Sequence, residues 1–354
     1  MTSTGKGRLA IGLAGAGRLG RVYARDLASR IAETKLVAVA DPVEAVAKEV
    51  AAEFDVPKHY ADPLALFDDP AVDAVVIVSP THTHRELVIA AAGRKKPTFC
   101  EKPPALSLDE VEEMRSAVAT SGMFLQMGFM RRFDAGYASA KRQIEEGRIG
   151  MPLVFKSTSR DPFRPSLEYA DPKSSGGMLL DMGIHDFDLA RWFMGEVRTV
   201  STIGATIAYP ELATVGDIDN AIASLTFASG KLGVVDLSRS GIYGYDISTE
   251  ILGLEGTLKV GYLRETPVML MTKNSVAHDT VPYFMERFRD AYTTQLQNFA
   301  QNVQRERPAP ITIEDGMEAL RIGVAATRAR ETGRSVVVTA MTGHFQAAEK
   351  RSLK

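Results

Sequence analysis

The sequence predicts an α/β protein, in which a doubly wound parallel sheet is followed by a second, α+β domain with a large open sheet, mixed or antiparallel. Three observations carry this prediction. Over the first 125 residues short apolar runs alternate with helical patterns, and after about residue 130 longer β-rich segments replace that alternation. A glycine-rich turn also follows directly on the first apolar run. Strands that alternate with helices indicate a parallel sheet, because each parallel connection needs a crossover.

The first half contains five apolar runs that predict strands. They cover residues 9–13, 36–40, 74–78, 98–100 and 124–127. Amphipathic patterns predict helices between them, over residues 18–31, 43–54, 84–92 and 107 to about 120. Ser107 and Glu110 have the spacing of a capping box, which places the start of the last of these helices.

The second half predicts a sheet with helices on one face. β-rich segments lie at residues 153–159, 197–208, 221–227, 232–238 and 247–254, with hairpin turns at Gly230 and Gly256. Helical patterns cover residues 134–146, a long apolar face over 284–303, and 314–331 before Gly333. We therefore expect a dinucleotide-binding domain at 1–127, a substrate-binding and oligomerisation domain at 128–340, and a tail at 341–354.

Composition excludes several classes of protein. The 354 residues include 42 Lys and Arg against 44 Asp and Glu, and the net charge of -2 argues against a nucleic-acid binder or a polybasic membrane-surface protein. The longest clear apolar run, at 74–78, is far shorter than the about 18 residues that span a bilayer. A single cysteine, Cys100, excludes an intramolecular disulfide and favours a reducing compartment, so we expect a cytoplasmic protein.

The N-terminus superficially resembles a secretory signal. Lys6 and Arg8 precede an apolar stretch at residues 9–17. That stretch is short, rich in glycine and continues directly into the helical pattern at 18–31. These features are typical of a strand, a turn and a helix, and we interpret the segment as part of the fold.

The glycine-rich turn predicts dinucleotide binding. Gly15, Gly17 and Gly20 form the pattern G-x-G-x-x-G, with Arg18 and Leu19 inside it, between the first strand and the first helix. The first glycine permits the tight turn, the second lets a pyrophosphate approach the backbone, and the third allows close packing of helix on strand. The phosphates of the dinucleotide are expected at the positive end of that helix.

Asp41 predicts which dinucleotide is bound. It ends the second apolar run, 21 residues after Gly20. A carboxylate at this place accepts a hydrogen bond from the ribose 2′-hydroxyl and repels a 2′-phosphate, so NAD is favoured over NADP. The alternative is an ordinary aspartate that caps the helix beginning near Pro42.

Three further residues have the chemistry of an acid–base site. Lys102 follows the fourth of the predicted strands, where its ammonium would point into the crevice in which doubly wound sheets bind ligands. Asp181 and His185 are four residues apart and would share one face if a helix begins there. A histidine suits general-base catalysis near neutral pH, and an aspartate can orient it. The alternatives are a solvated lysine, and a helix-capping carboxylate beside a buried histidine.

A metal site is not predicted. Asp186 and Asp188 lie close to His185 in sequence, but the segment has no His-x₃-His spacing and no cysteine partner. His82 and His84 are two residues apart, a spacing that does not place both rings on one face. We interpret these two histidines as residues of a loop beside the cofactor or of a helix cap.

Together these motifs resemble the Gfo/Idh/MocA oxidoreductase family. The resemblance is carried by residues 15–20, by Glu101-Lys102-Pro103 and by residues 176–185. Segments 128–134, 244–247 and 287–292 are similar to those of the inositol dehydrogenases within that family. The resemblance implies an N-terminal Rossmann domain and a C-terminal domain whose open sheet forms one wall of the active site and often mediates oligomerisation.

The resemblance also implies roles for individual residues. Lys102, Asp181 and His185 would form the catalytic set: His185 removes the hydroxyl proton, Asp181 orients it, and Lys102 stabilises the developing alkoxide. The implied cofactor-binding residues are Gly15, Gly17, Arg18, Leu19, Gly20, Asp41, Ser79, His82, Glu101 and Lys102. The implied polyol contacts are Lys102, Arg131, Arg160, Asp161, Asp181, His185 and Tyr245.

The activity that the resemblance implies is oxidation of myo- or scyllo-inositol to the inosose, with NAD as hydride acceptor. One alternative is an aldose 1-dehydrogenase that converts L-glucose or D-glucose to the lactone, and another is a non-enzymatic NAD-binding regulator. Segments 159–164 and 209–217 depart from the inositol pattern, which leaves the polyol open. The resemblance implies a homo-oligomer, a tetramer, whose partner is a small polyol or sugar and not nucleic acid or membrane.

Overall fold

The computed structural model describes residues 7–341, so the predicted tail at 341–354 lies outside the described residues except for Met341. The described chain forms a parallel sheet, a second, mixed sheet and a separate two-stranded ribbon. The predicted fold class is confirmed. The boundary at residues 127/128 stays a prediction.

The first sheet is the doubly wound sheet that the sequence predicts. Its strands are parallel and lie in the order β3-β2-β1-β4-β5-β6. They are β1 (Leu9–Ala14), β2 (Thr34–Ala40), β3 (Lys58–Tyr60), β4 (Ala74–Ile77), β5 (Thr98–Glu101) and β6 (Leu125–Gly128). The short strand β3 is absent from the sequence prediction, because three mostly exposed residues carry no apolar pattern. This strand order places the ligand crevice at the carboxyl ends of β1 and β4.

Helices cover both faces of this sheet. They are α1 (Arg18–Arg25) with a π-helical continuation (Asp26–Arg30), α2 (Glu44–Glu53), α3 (Pro63–Asp68), a short 3₁₀ turn (Thr81–Thr83), α4 (His84–Gly93) and α5 (Leu108–Ser121). The predicted capping box is confirmed, since Ser107 accepts from the Glu110 backbone and Glu110 accepts from the Ser107 backbone. Gly122, with φ 67°, then ends α5 in the left-handed conformation that glycine tolerates.

The second sheet is mixed, in the order β12-β11-β7-β10-β9-β8-β15. Only the pairing of β7 with β10 is parallel among these described strands. The strands are β7 (Pro152–Arg160), β8 (Val197–Ala205), β9 (Asn220–Phe227), β10 (Leu232–Ser238), β11 (Asp246–Gly253), β12 (Thr257–Val260) and β15 (Val336–Val337). The separate ribbon consists of β13 (Met269–Met271) and β14 (Val276–His278).

Helices pack on one face of the mixed sheet and against the first sheet. They are α6 (Ala135–Glu145), α7 (Leu167–Ala170), α8 (Pro172–Ser175), α9 (Met178–Asp181), α10 (Ile184–Met194), α11 (Phe284–Arg287), α12 (Arg289–Gln304) and α13 (Ile313–Thr332). Short 3₁₀ turns lie at Met130–Phe133, Pro210–Val215 and Val338–Ala340. Helix α12 joins the two halves, because the ring of Phe299 lies 5.9 Å from that of Phe99 in β5.

Two predicted elements end earlier than their apolar patterns. The predicted strand at 197–208 ends at Ala205, because the Asp219 carboxylate accepts from the backbone N–H groups of Ile207 and Tyr209 and draws them into a loop. The long helical face at 284–303 is broken at Phe288, whose backbone (φ -118°, ψ 19°) leaves the helical region and separates α11 from α12.

A buried ion pair fastens α10 to the mixed sheet. The Asp186 carboxylate accepts from Arg131 Nη1 at 2.7 Å, from Ser157 at 2.5 Å and from Ser159 at 2.8 Å. The side chains of Arg131 and Asp186 are 2% and 0% exposed. Because each charge is out of water, loss of one partner leaves the other uncompensated.

We therefore expect Asp186→Ala to lower the free energy of unfolding by about 3–5 kcal/mol, the usual cost of breaking a buried pair from one side. Urea unfolding followed by tryptophan fluorescence measures this. The control is Glu113→Ala, which removes the partner of Arg85 from an ion pair at the surface and should change stability far less. Equal losses in the two variants would contradict the assignment.

Candidate active site

Lys102 meets Asp181 between the two sheets. Lys102 follows β5 at the carboxyl edge of the parallel sheet, and Asp181 ends α9 on the mixed-sheet side. The Lys102 ammonium donates to the Asp181 backbone oxygen at 2.9 Å and to its carboxylate at 3.3 Å. Both side chains retain some exposure, 16% and 17%. The structure thus brings together two of the three predicted catalytic residues.

Asp181 and His185 do not share one helix, contrary to expectation. Asp181 ends α9, the chain turns at Met182 and Gly183, and His185 lies in the first turn of α10. A side chain at Gly183 would come within 2.7 Å of the Leu179 backbone oxygen, so the turn is tightly packed.

The partners of Asp181 differ from the predicted one. Its carboxylate accepts from the Tyr169 hydroxyl at 2.9 Å as well as from Lys102, and the Arg239 guanidinium lies 3.6 Å away. Burial alone would raise the pKa of Asp181, but Lys102, Arg239 and the Tyr169 hydroxyl together lower it below its ordinary value. Asp181 is therefore ionised at neutral pH and holds Lys102 in place.

His185 lies beside this pair with a free ring nitrogen. The residue is 8% exposed, and its Nδ1 has no hydrogen-bond partner among residues 7–341. The expected orienting bond from Asp181 to that nitrogen is therefore absent, and an edge-on contact with the Phe129 ring packs the imidazole instead. Burial, and then the charges of Lys102 and Arg131, hold the pKa of His185 well below its usual value. His185 is thus neutral at neutral pH and can accept a proton.

Asp161 and Tyr245 are two further titratable residues on which nearby charges act. Burial and the neighbouring Asp181 carboxylate raise the pKa of Asp161 to about 7, against the charges of Arg239, Arg131 and Lys102. Tyr245 is buried, with its ring against that of Phe288, and burial with the charge of Asp161 raises its pKa. The Asp161 carboxyl therefore lies within electrostatic range of Lys102 and Asp181, and the Tyr245 phenol lies within that of Asp161.

Two predicted polyol contacts lie elsewhere. Arg131 is buried in the ion pair with Asp186, so it supports the wall of the site from behind. Arg160 forms an ion pair with Asp236 on the opposite face of the mixed sheet from Ser159, which faces Asp186. Side chains of successive strand residues point to opposite faces, so Ser159 and Arg160 cannot both face the cleft.

The glycine turn fits a dinucleotide. Gly15 has φ 105°, and a side chain there would come within 2.7 Å of the Val78 backbone oxygen. A side chain at Gly20 would come within 2.2 Å of the Gly15 oxygen, whereas Gly17 faces open space. The first and third glycines are therefore required by packing, and the second leaves room for phosphates. Inside the turn, the Arg18 guanidinium lies over the Tyr283 ring.

The other predicted cofactor residues line the same edge, with one exception. Asp41 accepts from the backbone N–H of Ala16 at 2.9 Å, which fastens it to the glycine turn, and also from that of Val43. Leu19 is half-buried in α1, while Ser79 and the exposed His82 follow β4. Glu101 is the exception, because it is buried away from the crevice.

The Glu101 carboxylate lies in the interior, in a network of hydrogen bonds. It accepts from the Tyr23 hydroxyl, from the Gln295 amide at 3.2 Å and from the Lys102 backbone at 3.1 Å. Burial raises its pKa, and the Tyr23 and Lys102 interactions oppose that change. Glu101 therefore supports the backbone of Lys102.

Sequence reasoning missed Tyr169, Arg239 and Asp217. Asp217 pairs with Arg239 and accepts from the Met178 backbone at 2.9 Å, which fixes the first residue of α9 and hence Asp181. Tyr169 lies 12 residues before Asp181 and carried no motif. The available signal was the polarity of Asp217, three residues before β9, and of Arg239, directly after β10.

The described residues were compared with the arrangements that bind metal ions and with helices that span membranes. Within residues 7–341, no group of three His, Cys, Asp or Glu side chains is arranged to hold a metal ion. None of the helices in that part of the chain is long and apolar enough to cross a membrane.

Comparisons with known proteins agree with this geometry. Residues 9–129 match the family model for the NAD-binding Rossmann fold of the Gfo/Idh/MocA oxidoreductases, and residues 141–338 match that for their C-terminal alpha/beta domain. The chain belongs to the Gfo/Idh/MocA oxidoreductase family. It therefore contains an NAD-binding domain, as the glycine turn predicts.

Several relatives within the family are named as inositol dehydrogenases. The chain is 40% identical to scyllo-inositol 2-dehydrogenase (NAD(+)) of Bacillus subtilis, over 91% of this chain and 94% of the relative. It is 42% identical to myo-inositol 2-dehydrogenase of Thermotoga maritima, over 94% and 99%. Scyllo-inositol dehydrogenase from Lactobacillus casei, solved with NAD(H) and scyllo-inositol, superposes with a TM-score of 0.89 at 31% identity, covering 94% of this chain and 100% of that one.

The position of Asp41 predicts a measurable cofactor preference. Asp41→Asn keeps the size of the side chain but removes the charge that would repel a 2′-phosphate, so the ratio of the NADP to the NAD dissociation constant should fall about tenfold. Fluorescence titration with each nucleotide measures the ratio. Asp55→Asn, an exposed carboxylate elsewhere in the same domain, is the control. An unchanged ratio in Asp41→Asn would remove Asp41 from cofactor selection.

The raised pKa of Asp161 predicts a pH-dependent stability. In the unfolded chain the pKa of an aspartate is about 3.9, so the native state binds this proton more tightly. The stabilisation is fully present below about pH 4 and is lost as the pH rises through about 7. Asp161→Asn should therefore reduce the fall in unfolding free energy between pH 5 and about pH 8, measured with urea. Asp290→Asn, at an exposed site on α12, is the control. If the free energy of unfolding fell equally with pH in Asp161→Asn and in the wild type, the assignment would be contradicted.

Proposed function

We propose that this protein oxidises a cyclic polyol, myo- or scyllo-inositol, to the inosose with NAD as hydride acceptor. The observation that carries the proposal is the contact of the Lys102 ammonium with Asp181 beside a neutral, buried His185, at the carboxyl edge of an NAD-binding sheet. The names of the relatives support the choice of substrate, since both act on inositols.

The residues of the cleft suit removal of a proton from a secondary alcohol. His185 is neutral, because burial and two nearby cations lower its pKa, so it accepts the hydroxyl proton. Lys102, held by Asp181, donates a hydrogen bond to the same oxygen and stabilises the negative charge that develops on it. NAD, when bound, supplies the hydride acceptor. Tyr169 and Arg239 keep Asp181 ionised and positioned.

One carboxyl group and one phenol group complete the polyol site in this proposal. Asp161 and Tyr245 lie near the cluster and offer hydrogen-bond donors and acceptors to further hydroxyls. A ring with several hydroxyls needs such fixed partners to bind in one orientation.

We propose that this chain assembles into a homo-oligomer, a tetramer, and that it works in the cytoplasm. Five large apolar side chains are exposed on the described strands of the mixed sheet, which supports association of copies through it: Ile203, Ile222, Leu232, Leu252 and Val337. The single cysteine supports a reducing compartment. Sedimentation equilibrium tests the assembly, and a monomer at micromolar concentration would contradict it.

The decisive experiment is NADH formation, followed by absorbance, over a panel of inositols and aldoses. We expect the highest kcat/KM with myo- or scyllo-inositol. Faster oxidation of L-glucose or D-glucose to the lactone would favour the aldose alternative. Tight NAD binding without turnover of any polyol would favour the non-enzymatic regulator and overturn the proposal.

Lys102→Ala tests the catalytic assignment. It removes the donor that stabilises the developing alkoxide, so kcat should fall by about 10²- to 10³-fold. The NAD dissociation constant, from fluorescence titration, should change by less than about threefold, which is the loss of one weak contact. Lys48→Ala, on the exposed face of α2, is the matched control. Full activity of Lys102→Ala would exclude Lys102 from the reaction.

A further inference from the structure

His84 is a buried histidine that the proposed reaction does not use. It is the first residue of α4 and is 1% exposed. Its neighbour His82 is exposed, so the two rings lie in different surroundings. A buried imidazole normally carries a hydrogen-bonding role, because its nitrogens lose water on folding.

Both ring nitrogens of His84 face backbone carbonyl oxygens. Nδ1 lies 2.8 Å from the Pro103 oxygen, and Nε2 lies 2.9 Å from the Ser79 oxygen. A carbonyl only accepts, so each contact is a hydrogen bond when the nitrogen concerned carries a proton. A neutral imidazole has one N–H and the protonated ring has two. Burial holds the pKa of His84 below its ordinary value, so near neutral pH the ring donates to one of the two carbonyls and packs against the other.

The two carbonyls belong to neighbouring loops at the carboxyl edge of the parallel sheet, one after β4 and one after β5. Pro103 directly follows Lys102, whose ammonium meets Asp181. Ser79 follows β4 beside the glycine turn, since a side chain at Gly15 would lie 2.9 Å from the Ser79 backbone nitrogen. One imidazole therefore connects the loop that borders the dinucleotide to the segment that carries Lys102.

We propose that His84 is a positioning residue that sets the distance between the Ser79 loop and Lys102, and so between cofactor and catalytic lysine. The inference rests on the proposed function, because the distance between cofactor and lysine affects the rate only if hydride is transferred at this site. A displacement of about 1 Å in a reacting group can cost up to about 100-fold in rate.

Two conservative variants separate the two contacts. The amide nitrogen of asparagine reaches the place of Nδ1 and that of glutamine the place of Nε2. His84→Asn can therefore donate to Pro103 and not to Ser79, whereas His84→Gln can donate to Ser79 and not to Pro103. A merely structural role would lower activity and cofactor affinity together in both variants.

The expected results differ between the variants. The neutral ring makes one of the two hydrogen bonds, so one variant keeps the wild-type bond and the other loses it. If the ring proton is on Nε2, His84→Asn should weaken NAD binding by about 2- to 10-fold, the effect of one lost hydrogen bond, and His84→Gln should match the wild type. If the ring proton is on Nδ1, His84→Gln should leave the NAD dissociation constant within about twofold of wild type and lower kcat with inositol by about tenfold or more, since the segment of Lys102 is released, and His84→Asn should match the wild type. His59→Gln, at an exposed position in β3, is the matched control.

Fluorescence titration with NAD and steady-state NADH formation measure the two quantities, with the melting temperature as a check on folding. Proportional changes in both quantities, no change in either, or the reverse pattern would overturn the proposal. If one variant fails to fold, the other retains its own expected result. If the wild type oxidises no inositol, the proposed function fails, while the difference in NAD binding between His84→Asn and His84→Gln still tests the link to Ser79.

Discussion

The contact between Lys102 and Asp181 is the interaction on which the arrangement of the site depends. It joins the carboxyl edge of the parallel sheet to the helical side of the mixed sheet through two partly buried charges. An ammonium and a carboxylate that lose water need partners in good geometry, and each is here the other's partner. The pair therefore fixes the relative position of the two halves at the place where a polyol and NAD would meet.

Each member of this pair is supported by buried polar groups. On the parallel-sheet side, Glu101 binds the Lys102 backbone and is itself held by Tyr23 and Gln295. On the other side, Asp217 fixes the start of the four-residue helix that ends in Asp181. Buried hydrogen bonds of this kind are costly to break, so both ends of the contact are rigid.

The same supports explain how the site produces a neutral base next to charged groups. Within residues 7–341 no carboxylate binds His185 Nδ1, so burial and the cations Lys102 and Arg131 act on its pKa unopposed. Asp181, by contrast, receives two cations and a hydroxyl, and stays ionised despite burial. The difference between the two residues comes from their partners, since both lie in the same largely buried cluster.

Local patterns were sufficient for the glycine turn, the capping box of α5 and the strand–helix alternation, because each depends on residues close in sequence. They were insufficient for Arg131, Arg160 and Glu101, which were expected at the ligand and lie in ion pairs or in the interior. The direction of a charged side chain at a strand end depends on which strand lies beside it. The spacing of residues within one segment does not show which strand will lie beside it in the sheet.

The length of the chain and its change of pattern near residue 130 were thus enough to determine two sheets and an NAD-binding turn. Tertiary structure alone decided that the Asp181 carboxylate binds Lys102 and not His185. It also decided that Tyr169 binds Asp181 and that Arg239 pairs with Asp217 beside it. The physical reason is that hydrogen bonds and charges act over a few ångströms in space. Lys102 and Asp181, 79 residues apart in sequence, come within that range only after both sheets have folded.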